Sequence, residues 1–63
     1  MRIKELRESK NMTQDELASL LSVSRSTVAM WETGQSYPLV EKLLQLSEIF
    51  RCTLDELIKK EDT

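Results

Sequence analysis

The sequence predicts an all-α domain of five short helices. Three observations carry that reading. Apolar residues recur at three- and four-residue spacing along almost the whole chain. Two Thr-x-x-Glu capping boxes, beginning at Thr13 and Thr53, each stand at the head of an apolar run. One Gly and one Pro in 63 residues leave few breaks, which disfavours a fold of many short strands.

The first helix is expected over residues 2–10, with Ile3 and Leu6 inward and Asn11 and Met12 ending it. In the first capping box Thr13 accepts from the Glu16 backbone N–H, and Glu16 reaches back to that of Thr13. Asp15 and Glu16 suit the positive end of the helix dipole, and the second helix runs to about Leu21. Ser22, Val23 and Ser24 make a short turn, with Ser24 capping a third helix from Arg25 to about Glu32. Gly34 stops that helix in a left-handed conformation. Pro38 is expected in the first turn of a fourth helix covering about 39–50, where its missing N–H needs no partner. Leu39, Leu43, Leu46 and Phe50 form its inward stripe, with Val40, Leu44 and Ile49 beside it. The second capping box opens a fifth helix with Leu54, Leu57 and Ile58 apolar, and Lys59 and Lys60 sit at its negative end.

Composition narrows the function. A chain this short is one domain, residues 1–63, without room for a catalytic cleft between subdomains. It has no His and one cysteine, Cys52, so a zinc site does not fit, no metal is expected, and no internal disulfide is possible. A reducing, cytoplasmic setting fits, with Cys52 either a buried small hydrophobe or, beside Arg51, a redox-sensitive thiol. No run approaches the roughly 18 apolar residues of a membrane span. Nothing points to a cofactor, a small-molecule ligand or an enzyme: no base stands near Cys52 and no Gly-rich loop is present. The net charge of −2 runs against the basic balance usual for a nucleic-acid binder. Most of that excess lies late in the chain, since residues 38–63 hold six acidic and four basic side chains.

The most informative stretch is Thr13 to Gly34, TQDELASLLSVSRSTVAMWETG. Two helices joined by a three- to four-residue turn cross steeply and share one side of a core. Leu17, Leu21, Val23, Val28 and Trp31 take the shared-core positions, and Ala18 is small where the helices pass closest. Arg25, Ser26, Ala29, Met30 and Thr33 point the other way. This is the layout of a DNA-binding helix-turn-helix, whose second helix enters the major groove. Arg25 is the candidate base reader, because its guanidinium matches guanine O6 and N7. Ser26 and Thr27 either bond a base edge or phosphate or simply fill a first helical turn. Ala29 and Met30 suit thymine methyl groups, or Met30 packs on the loop before the fourth helix. Ser24, Thr27, Thr33, Gln35, Ser36 and Tyr37 are candidate phosphate contacts, the last four flanking the groove through hydroxyls and backbone N–H groups.

Met12–Pro38 and Leu43–Ile58 resemble, in order, spacing and residue type, the Cro/C1-type (XRE) helix-turn-helix family of phage and bacterial regulators. The resemblance covers about residues 2–60. It implies a compact five-helix lambda-repressor-like domain with its helix-turn-helix at helices 2 and 3. It further implies a sequence-specific regulator of transcription, a repressor, that binds double-stranded DNA. In the family the residue at the place of Gln14 bonds a phosphate, and an Arg on helix 1 pairs with a Glu at the end of helix 3, here Arg7 and Glu32. The sharp turn often holds Gly or Asn in the family; here it is Ser22. One such domain contacts few base pairs, so a homodimer on a near-palindromic site is expected, weak off DNA. Its expected patch is Arg51, Leu54, Asp55 and Ile58, with Leu54 either facing a second copy or closing the monomer's own core. The competing reading is a protein-interaction module, an antitoxin or adaptor, favoured by the acidic balance and the apolar Ala29 and Met30.

Overall fold

Among the described residues five helices form: α1 (Ile3–Ser9), α2 (Gln14–Leu21), α3 (Arg25–Thr33), α4 (Val40–Phe50) and α5 (Leu54–Ile58). The computed structural model describes residues 1–59; Lys60, expected at the end of the fifth helix, and the last three residues, expected to fray, lie outside the described residues. No strand occurs among the described residues, and none of their helices is long and apolar enough to cross a membrane.

Both capping boxes close. The Glu16 N–H donates to Thr13 Oγ1 at 3.0 Å and the Thr13 N–H to Glu16 Oε1 at 2.8 Å. The Glu56 N–H donates to Thr53 Oγ1 at 3.0 Å and the Thr53 N–H to Glu56 Oε1 at 2.9 Å. The backbone and hydroxyl of Thr53 hold the Glu56 carboxyl below its ordinary value. A lowered folded pKa stabilises above the unfolded value, and that contribution disappears as pH falls through the folded value. The melting temperature of Glu56→Gln is therefore expected to fall less steeply than wild type on acidification below the usual carboxylate range. Parallel slopes in thermal melts across that range would count against it.

The other ends share one device. Asn11, Ser22, Gly34 and Arg51 all adopt positive φ, at 55°, 57°, 83° and 54°. In each case the next residue's N–H reaches the carbonyl five residues back: Met12 to Arg7, Val23 to Ala18, Gln35 to Met30 and Cys52 to Ser47. These are Schellman endings, which favour an apolar residue just past the left-handed one. Met12, Val23 and Cys52 supply it, half-buried against the core; Gln35, after α3, is exposed and does not. Three of the four left-handed positions carry a Cβ. Ser22→Gly is expected to raise stability by somewhat under ~1 kcal/mol, a rise of up to roughly 4–8 °C in melting temperature. An unchanged or lower melting point would show that Ser22 bears no strain.

Ile3, Leu17, Ala18, Leu21, Val28, Trp31, Leu46, Phe50 and Leu57 are buried together. Helices α2 and α3 pack most closely, α1 lies on α3, and α4 joins α2 to α5. The Arg2 N–H donates to the Leu57 carbonyl at 3.0 Å, tying the start of the chain to α5. Lys42 Nζ donates to the Leu21 carbonyl at 2.7 Å, so a side chain of α4 caps the C-terminus of α2 beside the sharp turn.

Two expectations are corrected. Pro38 is not in α4, which begins at Val40 with Leu39 as its N-cap; Pro38 is buried in the preceding loop, where its ring packs inward. Leu39, Val40 and Leu44 do not join the core and are 77%, 69% and 50% exposed. Leu39 lies outside the helix in extended backbone. At 100° per residue Val40 and Leu44 stand about 120° and 160° round from Leu46, beyond the stripe one face buries. Of the two readings of Cys52, its place favours the small hydrophobe: it is half-buried against the core, and burial pushes its thiol up, which leaves little reactive thiolate at neutral pH.

Candidate nucleic-acid interface

Helix α3 has two faces because its apolar residues stand one turn apart. Val28 and Trp31 are buried, so Ser26, Met30 and Thr33 come round to the opposite side and are exposed. Ala29 is half-buried. Arg25 lies on the flank of α3 nearest the start of α2, and its Nε donates to Gln14 Oε1 at 3.3 Å. The left-handed Ser22 (φ 57°, ψ 42°) swings the chain so that this flank meets α2.

Behind Arg25 stands a polar chain rooted in the core. Arg7 Nε donates to Glu32 Oε2 at 2.7 Å, and Nη2 to Oε1 at 3.3 Å. Arg7 Nη1 donates to the Met12 carbonyl at 2.7 Å. Gln14 Nε2 donates to Glu32 Oε1 at 3.0 Å. The side chains of Arg7 and Glu32 are only 10% and 4% exposed, so the pair is largely desolvated. The hydrogen bond to Glu32 raises the Arg7 pKa above its ordinary value despite burial. The Arg7–Glu32 link fastens α1 to the end of α3, and Gln14 adds α2.

The start of α2 presents free donors. Its capping box takes the N–H groups of Thr13 and Glu16, leaving those of Gln14 and Asp15 without a helical partner. Arg7, Thr13, Gln14, Asp15 and Arg25 line one cleft at this end. At the start of α3, Ser24 Oγ accepts from the Thr27 N–H at 3.2 Å and lies 3.0 Å from Ser26 Oγ and 2.9 Å from Thr27 Oγ1. Three hydroxyl protons serve two contacts, so at least one proton faces outward.

The loop after α3 differs from expectation. The Gln35 and Ser36 N–H groups turn inward to the Met30 carbonyl at 2.9 and 3.4 Å, and the Gly34 N–H to the Trp31 carbonyl at 3.3 Å. They end the helix and are not available to a phosphate. The Thr33 hydroxyl also donates to the Met30 carbonyl, at 3.2 Å. What this segment offers outward is the side chains of Gln35 and Tyr37, the latter 68% exposed; Ser36 is half-buried. The face formed by Gln14, residues 24–30 and residues 33–37 carries Arg25 and no acidic residue.

The second patch named from the sequence is on the far part of the chain. Arg51 ends α4 and is exposed, as is Asp55; Leu54 and Ile58 are 38% and 50% exposed. Leu54 and Ile58 stand four apart on one face of α5, and Leu57 turns inward. Sequence reasoning missed exposed Leu44, Lys42 as the cap of α2, and the bond from Gln14 to Glu32.

A helix-turn-helix family model matches residues 3–57. The chain is 43% identical over 61 residues to the HTH-type transcriptional activator BcrR of Enterococcus faecalis, covering 97% of this chain and 30% of that protein. It is 40% identical over 60 residues to the HTH-type transcriptional regulator AnsR of Bacillus subtilis, covering 95% and 52%. An uncharacterized HTH-type transcriptional regulator of Archaeoglobus fulgidus is 34% identical over 56 residues, covering 89% and 79%. The chain thus spans about a third to half the length of the first two proteins.

Proposed function

The chain belongs to the Cro/C1-type helix-turn-helix family of transcriptional regulators, and on that premise we propose that it reads double-stranded DNA as a dimer to control transcription. The observation that carries this is the outward face of α3, exposed and acid-free, with Arg25 at its leading flank and the free N–H groups of α2 beside it. Helix α3 enters the major groove. Arg25 and Ser26 meet base edges, and Ala29 and Met30 meet thymine methyl groups. Gln14, Ser24, Thr27 and the side chains of Thr33, Gln35, Ser36 and Tyr37 border the phosphates. The N-terminus of α2 takes one phosphate by its dipole and free donors. Thr33 gives up its bond to Met30 to do so.

The dimer is two-fold, with Arg51, Leu54, Asp55 and Ile58 facing a second copy and Leu44 extending the apolar surface. The domain is 28 Å in its longest dimension. Two copies side by side therefore fit recognition helices one DNA turn, about 34 Å, apart. The contact is small, so the dimer forms mainly on DNA. The sign of regulation follows from where the site lies: bound over a promoter the domain represses, and one relative is named an activator.

Selection from random duplexes, followed by anisotropy titration at two salt concentrations, tests this. An inverted repeat with half-sites one turn apart is expected. The salt dependence is expected to report fewer than eight released ions, because the face has one cation and binds mostly through hydroxyls, amides and backbone. A slope of eight or more would overturn the charge argument. No enrichment at low salt would favour a protein-interaction module, which the net charge of −2 and exposed Leu39, Val40 and Leu44 would suit.

A further inference from the structure

The side chain of Gln14 has two polar neighbours to satisfy, and only one orientation of its amide does so. Its nitrogen faces the Glu32 carboxylate at 3.0 Å and its oxygen faces Arg25 Nε at 3.3 Å. Turned over, the amide would set an oxygen against a carboxylate and a nitrogen against a guanidinium donor, both repulsive. Glu32 in turn cannot rotate, because Arg7 holds both its oxygens. Arg7 is pinned by the Met12 carbonyl. The chain of constraints therefore runs from Met12 through Arg7, Glu32 and Gln14 to Arg25, and it starts in groups that are almost fully buried.

From this chain we infer that Glu32, acting through Gln14, sets the specificity of Arg25 by presenting its guanidinium end-on to guanine. Arg25 spends Nε within the protein, and its two terminal nitrogens bond no other described residue. Those two nitrogens match guanine O6 and N7. Adenine, with one donor and one acceptor at the same edge, cannot accept both. Gln14 is then a positioning residue first, and only its second amide hydrogen is left for a phosphate. This rests on the proposed role of Arg25 and adds to it the origin of base choice.

The test is a double-mutant cycle with Gln14→Met and Arg25→Ala, read on the selected operator, on operators with one guanine replaced, and on random duplex. Methionine matches the length of glutamine and removes its polar atoms, and the Arg7–Glu32 pair remains to hold the helices. A thermal melt of each variant checks this, and Gln14→Ala serves as a second variant. The expected result is a loss of about fivefold or more per half-site in guanine discrimination for Gln14→Met. The salt slope should stay at wild type, because a neutral amide releases no counterion. Any loss on random duplex, from the lost phosphate contact, should be smaller than the loss on the operator, and in the Arg25→Ala background Gln14→Met should cost no further guanine discrimination. An equal loss on every duplex, of the same size in both backgrounds, would make Gln14 an independent phosphate contact and overturn the inference alone. Intact guanine discrimination in Arg25→Ala would overturn the role of Arg25 and the inference with it.

Discussion

Arg25→Ala is expected to flatten base preference at one position of each half-site and to cost about 1–3 kcal/mol per half-site in operator affinity. Across a two-fold dimer the loss doubles, so operator binding should approach that of random duplex. The reason lies in how little else on the face is charged: Arg25 is the sole basic residue of α3. A side chain that reads a base leaves the salt slope unchanged when removed, whereas one that neutralises a phosphate lowers it by about one. Titration of wild type and variant at two salt concentrations separates these. Uniform loss on all sequences with a shallower slope would reassign Arg25 to the backbone.

Much of the frame was legible because it is local. Thr13 and Glu16, or Thr53 and Glu56, stand three residues apart, so the pattern that names a capping box also supplies both its hydrogen bonds. The shared core of α2 and α3 follows from the spacing of Leu17, Leu21, Val28 and Trp31. The sharp turn at Ser22 was named through the resemblance; its left-handed backbone is what the structure adds. What failed was a choice among equals. Helix α4 has more apolar residues than one face can bury, and composition does not say which are surplus. An angular reckoning from Leu46 would have placed Leu44 outside. At Val23 and Cys52, already read as inward or as a small hydrophobe, what went unread was the Schellman ending that places an apolar residue there.

The site was legible in its residues more than in its connections. Positions 25, 26, 30 and 33 follow from helical phase alone. That Gln35 and Ser36 turn their N–H groups inward does not, because a loop's donors are claimed by whichever carbonyl the folded chain leaves open. Lys42 and Leu21 are 21 residues apart and Gln14 and Glu32 are 18 apart. No spacing rule joins them; only the packing of three helices does. The tie between the reading side chain and the buried ion pair is therefore a tertiary property.

Glu32→Ala is expected to destabilise the fold as severely as truncating a buried core side chain. It leaves the Arg7 guanidinium, 10% exposed, with the Met12 carbonyl and only the solvent-exposed Glu8 carboxylate at 4.0 Å, and an arginine cannot shed its charge. Breaking such a pair costs about 3–5 kcal/mol, against a total stability of roughly 3–9 kcal/mol for a chain of this size. The melting temperature should fall by roughly 15 °C or more, measured by circular dichroism. Replacing both partners, Arg7→Met with Glu32→Leu, removes the charge together with its partner and should recover most of that loss, since apolar residues of similar volume often serve a buried site as well as an ion pair. Recovery of the fold would not bring recovery of base choice. Gln14 would then have no carboxylate to orient it, and Arg25 no fixed acceptor. The double variant should melt near wild type yet bind the operator with weakened guanine discrimination. A single variant that melts within a degree or two of wild type would show instead that water reaches the Arg7 guanidinium and that the pair does not anchor α3.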